Sequence, residues 1–233
     1  MPATTYTLYA PEASFRAFAT LIAAEYNGLE VEVSTDTAAA AKSPVGKLPL
    51  LEIQGNNNNP ITIFSSHAMA RYMANVRRDT GLTGQTCVET AQVDAWMDFA
   101  AQELELPACI WFYPVAGYMP FHADAYEKAK KDLAKGLAHL ETHLQRSSSS
   151  SSSSADAADG YYYYYLVGSQ ITLADIVVAS TLLYPFKLVA DPKYLQPFPT
   201  VVQWFQQCMG HAEFQQVVGH VVMCQTELKA PPS

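Results

Sequence analysis

Basic residues are scarce in this sequence. Fourteen lysines and arginines stand against 22 aspartates and glutamates over 233 residues, for a net charge of −8. They are scattered rather than striped, which argues against nucleic acid as a direct partner. Charge of either sign is thin, at 15% of residues, while 49% are apolar. That balance excludes a disordered chain and leaves enough apolar surface for a sizeable core. Cysteine is also rare. Cys87, Cys109, Cys208 and Cys224 form no C-x-x-C pair and no zinc spacing, so buried, reduced thiols are expected and a metal centre is not. The start lacks a charged segment followed by an apolar stretch, so no signal peptide is evident. A cytoplasmic protein of one or two domains is the expectation.

What is present divides into two patterns. Tyr6–Tyr9 reads as a short strand, and Phe15, Phe18, Ala19, Ile22 and Tyr26 form a helical stripe closed by Asn27-Gly28. Leu29–Val33 alternates apolar and acidic residues as a second strand. Leu50–Ile53 and Ile61–Phe64, separated by Gly, Asn and Pro, read as a hairpin. Met69, Tyr72, Met73 and Val76 give the next helix. Gly81–Gly84 is a candidate linker, and beyond it only helices are expected. These are marked by Val93–Ala100, Leu133–Leu144, Thr172–Leu188, Pro199–Cys208 and Glu213–Val218, the third of them kinked at Pro185. The apolar run after Thr172 is interrupted by Asp175, Pro185 and Lys187, which favours a core helix over a membrane span. Eight serines, Ser147–Ser154, predict a flexible loop over 147–160, followed by five tyrosines, Tyr161–Tyr165.

Several phrases carry chemistry. Pro49 opens an apolar strand. A cis bond after Leu48 would expose the Leu48 backbone to pair with a bound peptide, whereas a trans Pro entering an edge strand is the commoner case. Ser65 and Ser66 stand at a helix start, where a serine caps free N–H groups or helps bind a carboxylate. Thr172 and Asp175 have capping-box spacing, flanked by Ile171 and Ile176 as a hydrophobic staple. His139 and His143 are four apart, a spacing that can bind zinc. Their order is not H-E-x-x-H and no third ligand is evident, so a solvated helix face is expected. Trp111, Phe112, Tyr113, Tyr118 and Phe121 cluster around Pro114 and Pro120, either as core or as a partner surface.

Lys47-Leu48-Pro49, Ser65-Ser66 and Thr172-Leu173-Ala174-Asp175 resemble the motifs of the glutathione transferases. A narrower resemblance, over nearly the whole chain, is to the transferase-like domain of the elongation factor 1-gamma family. It rests on Leu8-Tyr9, Phe15-Arg16-Ala17-Phe18, Trp111-x-x-Pro114-x-x-Gly117-x-Met119, Phe198-Pro199-Thr200 with Trp204-Phe205-x-x-Cys208, and Phe214-x-x-Val217-Val218-Gly219.

The resemblance implies a glutathione transferase-like fold: an α/β thioredoxin-like domain over 1–80, then an all-α domain over 85–225. Residues 226–233 would be the first of a linker, so the chain reads as a piece of a longer protein. It implies a thiol site in which Leu48 and Pro49 meet the cysteinyl part of glutathione, Lys47 the glycyl end and Ser66 the γ-glutamyl carboxylate. Ser65 stands where an acid normally holds the γ-glutamyl amine. Ser14 is the candidate catalytic hydroxyl, its ordinary role being the N-cap of the first helix. Glu12 lies close by and opposes thiolate formation. Two functions are implied. One is an assembly subunit of the translation elongation factor 1 complex that binds the nucleotide-exchange subunits, as a homodimer. The other is a transferase, at most a weak one, using glutathione as ligand or co-substrate.

Overall fold

The computed structural model describes residues 4–55, 59–151 and 164–229. The first part is a four-stranded mixed sheet in the order β2-β1-β3-β4. β1 (Thr5–Tyr9) pairs in parallel with β2 (Val31–Ser34) and antiparallel with β3 (Leu50–Gln54). β4 (Ile61–Phe64) closes the hairpin against β3, with Leu51 opposite Ile63. The second strand starts two residues later than the alternating pattern suggested, because pairing begins where Val31 meets Tyr6.

α1 (Phe15–Tyr26) connects the parallel pair, and α2 (Ser66–Val76) follows β4. Ala17, Ala19, Ala23 and Ala24 of α1 are buried. These small side chains let neighbouring helices approach closely while Leu8, Ile22, Leu51, Met69 and Met73 fill the space between.

The remainder is helical, with no strand among the described residues beyond 64. α3 (Cys87–Phe99) runs through a π-helical turn at Ala100–Leu104 into α4 (Glu105–Ala116). α5 (Ala123–Ser151), α6 (Leu173–Leu188), α7 (Pro192–Leu195), α8 (Pro199–Gly210) and α9 (Ala212–Val218) complete it. α5 crosses the π-turn at Gly136, where an added Cβ would lie 2.5 Å from Leu104 Cδ2 and that side chain would have to shift. The α4 helix was not foreseen as such: its aromatic run has no one-sided apolar stripe, being buried on several sides at Ala108, Trp111 and Phe112.

The two parts share one hydrophobic cluster. Gly81–Gly84 is therefore a packed turn rather than a free linker: Leu82 is buried and its carbonyl accepts the Leu173 N–H at 2.8 Å.

Several further expectations are corrected. α5 continues through Ser151, five residues into the serine tract, and the rest of the expected loop, 152–160, lies outside the described residues, as do Tyr161–Tyr163. Residues 226–229 are not the start of a free linker. They dock on the helical part, where the Leu228 N–H donates to the Leu188 carbonyl and the Glu227 carboxylate is held by three side chains. Of the four free cysteines, Cys87 is exposed rather than buried. His143 is not on a solvated face, for its Nε2 lies 2.8 Å from the Leu166 carbonyl oxygen and its ring 4.6 Å from that of Trp96. No cluster of potential metal ligands occurs among the described residues, and no described helix is long and apolar enough to cross a membrane.

Glu141, between the two histidines, has a structural job. Its buried carboxylate accepts the N–H groups of Thr200 and Val201 at 3.1 and 2.9 Å, so α5 caps the N-terminus of α8. An anion there also meets the positive end of the helix dipole. Glu141→Ala is expected to cost about 2 kcal/mol by leaving two buried donors unpaired, measured by thermal denaturation. A melt that overlays the parent would show that the cap carries no weight.

Candidate thiol-binding cleft

The turn between β1 and α1 forms one lip of a cavity of about 300 Å³, and the helical part forms the other. From the first part come Pro11, Glu12, Ser14, Phe15, Arg16 and Leu48; from the second come Phe112, Tyr113, Tyr118, Tyr184 and Leu188. Of the residues singled out in the sequence, Glu12, Ser14, Leu48, Phe112, Tyr113 and Tyr118 share this cavity. The Leu48–Pro49 bond is cis, and Pro49 is buried at the start of β3 while Lys47 is exposed on the preceding loop.

Ser14 occupies the N-cap position of α1, but its side chain makes no capping bond. The expected side-chain cap is thus not made, and Ser14 lines the cavity. The turn ahead of it is held from across the cleft. Ala13 has a left-handed φ of 53°, and the Tyr184 hydroxyl donates to its carbonyl at 2.7 Å. A side chain in that region costs roughly 1 kcal/mol or more, so a fixed conformation there needs outside support. Tyr184 was not picked out in the sequence. Its signal was a lone phenol in an otherwise apolar helix.

Ser65 and Ser66 are brought elsewhere. Ser65 is exposed, has a φ of 73° and is itself the N-cap residue of α2, without a side-chain cap bond. Of the two serines at the helix start, Ser66 is the first helical residue. Ser66 faces a small niche with His67, Arg16, Glu105 and Ser180. That niche does contain a carboxylate, but Glu105 is bound by Arg16 Nη2 at 2.5 Å and Nε at 2.9 Å. Burial lowers the pKa of His67, which keeps the ring neutral near pH 7.

Arg16 is the cation of the cavity, and its pairing with Glu105 leaves it little charge to offer an anion. Glu12 adds a negative charge at the rim. Burial, reinforced by Cys109, raises the Tyr113 phenol to about 12, so it remains a protonated donor at neutral pH. The cavity is walled by aromatic rings on its helical side and by the β1–α1 turn and Leu48 on the other. It has little means of ionising a thiol.

A family model for the glutathione S-transferase C-terminal domain matches residues 106–212. The fold is shared with the GST-like domain of elongation factor 1-gamma from Saccharomyces cerevisiae, at a TM-score of 0.76 and 19% identity over 98% of this chain and 99% of that one. It is shared with Ure2p in complex with glutathione at a TM-score of 0.76 and 18% identity, covering 94% of each chain. In sequence the chain is 33% identical over 231 residues to elongation factor 1-gamma of Danio rerio, covering 94% of this chain and 47% of that protein. It thus spans about half the length of the curated relatives it matches.

The fold gives the class of architecture: it is glutathione transferase-like. Within that class it resembles the transferase-like domain of elongation factor 1-gamma along nearly its whole length, and its curated sequence relatives carry that name.

Proposed function

We propose that this chain acts as an assembly subunit of the translation elongation factor 1 complex, binding the nucleotide-exchange subunits in the cytoplasm as a homodimer, while other subunits handle aminoacyl-tRNA and GTP. The observation that carries this reading is the likeness to elongation factor 1-gamma over 94% of the chain. The cleft supports it from the other side. Arg16 is neutralised by Glu105, Glu12 lies at the rim, and no acid stands at Ser65. A site so arranged is a poor place to make a thiolate, and a scaffold role does not require one.

A second reading, glutathione-dependent transfer, is supported by Ser14 and Leu48 lining one cavity between aromatic walls. A pull-down of the exchange subunit by the purified chain, run beside calorimetry with glutathione, separates the two. The assembly reading expects capture of the exchange subunit and glutathione binding in the millimolar range or none, a net affinity of about 4 kcal/mol or less. Tight glutathione binding without capture would reverse the order of the two readings. Light scattering tests the homodimer.

A further inference from the structure

The segment after α9, residues 219–229, crosses the helical part as a strap without regular structure. Three groups on two helices hold its one half-buried carboxylate. Glu227 Oε1 accepts from Trp111 Nε1 at 3.1 Å, from the Tyr126 hydroxyl at 2.7 Å and from Lys130 Nζ at 3.0 Å. Lys130 also reaches Oε2 at 2.9 Å and lies over the Trp111 and Tyr126 rings. Charge-assisted bonds from aromatic N–H and O–H groups in a partly dry setting are among the stronger polar contacts a protein makes.

The strap's backbone is tied to a different element. The Cys224 N–H donates to the Phe186 carbonyl at 2.7 Å, and the Leu228 N–H to the Leu188 carbonyl at 3.1 Å. Both acceptors lie in the last turn of α6, where an α-helix leaves carbonyls unpaired. Each tie reaches a helix that lines the cavity, α6 through the two backbone bonds and α4 through Trp111, while Tyr126 and Lys130 belong to α5. Leu188 and Tyr184 of α6 form one side; Phe112 and Tyr113, adjacent to Trp111 on α4, form the other.

We propose that the strap is a latch. Glu227 in its Trp111–Tyr126–Lys130 socket, together with the two backbone bonds to α6, ties the middle of α4 and the start of α5 to the last turn of α6 and so sets the rigidity of the aromatic cavity between the domains. Whatever lifts residues 219–229 loosens the cavity. The inference goes beyond the assembly reading and does not depend on it, because it concerns the mechanics of one chain.

The test is amide hydrogen exchange on the full chain, comparing the parent with Glu227→Ala and, separately, Lys130→Met. Release of the latch is expected to speed exchange at the strap amides of Cys224 and Leu228 by about tenfold or more, the factor that corresponds to one lost charge-assisted bond. It should also speed exchange at the cavity walls, read at Tyr118, which donates to the Tyr113 carbonyl, and at Ala190, which donates to that of Pro185. The sheet amides of β1 and β3 should not change, and they separate release from general destabilisation. Unchanged strap amides in both variants would overturn the latch. Faster strap exchange with unchanged Tyr118 and Ala190 would overturn the coupling, leaving a local tie only. Equal acceleration in the sheet would also overturn it, as the effect would then be global. Trp111→Phe, which keeps a ring but removes the N–H donor, should reproduce part of the Glu227→Ala effect.

Discussion

Asp175→Ala is expected to lower stability by about 4 kcal/mol, the largest loss from any single polar substitution in the chain. The carboxylate is fully buried and collects four donors from three parts of the helical domain. Oδ2 takes the Thr172 N–H at 2.9 Å and its hydroxyl at 3.0 Å, within the capping box that opens α6. Oδ1 takes the Leu166 N–H at 2.9 Å and the indole N–H of Trp204 on α8 at 3.0 Å. Burial pushes the Asp175 pKa up while each of these donors pulls it down. The net direction is upward, because full burial outweighs the donors. Alanine leaves each donor buried with no acceptor, at roughly 1–3 kcal/mol apiece before relaxation. For a chain of this size the expected drop in melting temperature is about 10 °C. Thr172→Ala removes the cap hydroxyl alone and should cost about 1 kcal/mol. Thermal melts decide it: a deficit for Asp175→Ala no greater than that of Thr172→Ala would mean the Leu166 and Trp204 bonds contribute nothing.

The contrast between those two variants also marks what sequence can and cannot disclose. The Thr172–Asp175 box was legible because both partners lie within one helical turn and their spacing is a local signature. The Trp204 bond to the same carboxylate was not, since nothing in the order of residues pairs positions 29 apart. The same holds at the cleft. Leu48, Pro49 and Ser14 could be named from short phrases, but which of them share a cavity depends on how α4 and α6 close over the β1–α1 turn. Ser66 illustrates the cost of reading locally. Two serines at a helix start cannot say which is the cap, and the left-handed φ of Ser65 made it the boundary residue. The face of His139 and His143 reads as solvated because the partners of the intervening Glu141, the first N–H groups of α8, are some 60 residues away. The end of the strap, from 226, reads as linker because its few polar and apolar residues have no period, and its order comes from groups on α4, α5 and α6. The four strands, by contrast, were placed to within two residues, because alternation and turn residues are local properties.

Glutathione conjugation with standard electrophiles is expected to be weak or undetectable, and Ser65→Glu is expected to tighten glutathione binding by about tenfold or more. Position 65 sits on the surface immediately before α2; if glutathione binds as the resemblance implies, its γ-glutamyl amine approaches here and meets no charge on serine. A carboxylate there would add a charge-assisted contact of about 1.5–3 kcal/mol. The backbone does not oppose the change: the φ of 73° penalises any residue with a Cβ, and serine already bears that cost. The carboxylate that does lie near Ser66, Glu105, is occupied by Arg16 and cannot substitute. Tighter binding should not by itself restore turnover. The nucleophile is the thiolate, and the cavity opposes it twice, with Glu12 at the rim and the Arg16 charge already matched. Ser14 has the one uncommitted aliphatic hydroxyl among the residues lining that cavity, so Ser14→Ala should remove most of whatever activity exists. Calorimetry on Ser65→Glu and initial rates on Ser14→Ala measure the two claims separately. An affinity unmoved by the new acid would mean glutathione does not lie along Leu48 and α2 at all, and a rate that survives Ser14→Ala would pass the role of donor to the phenols of the opposite wall.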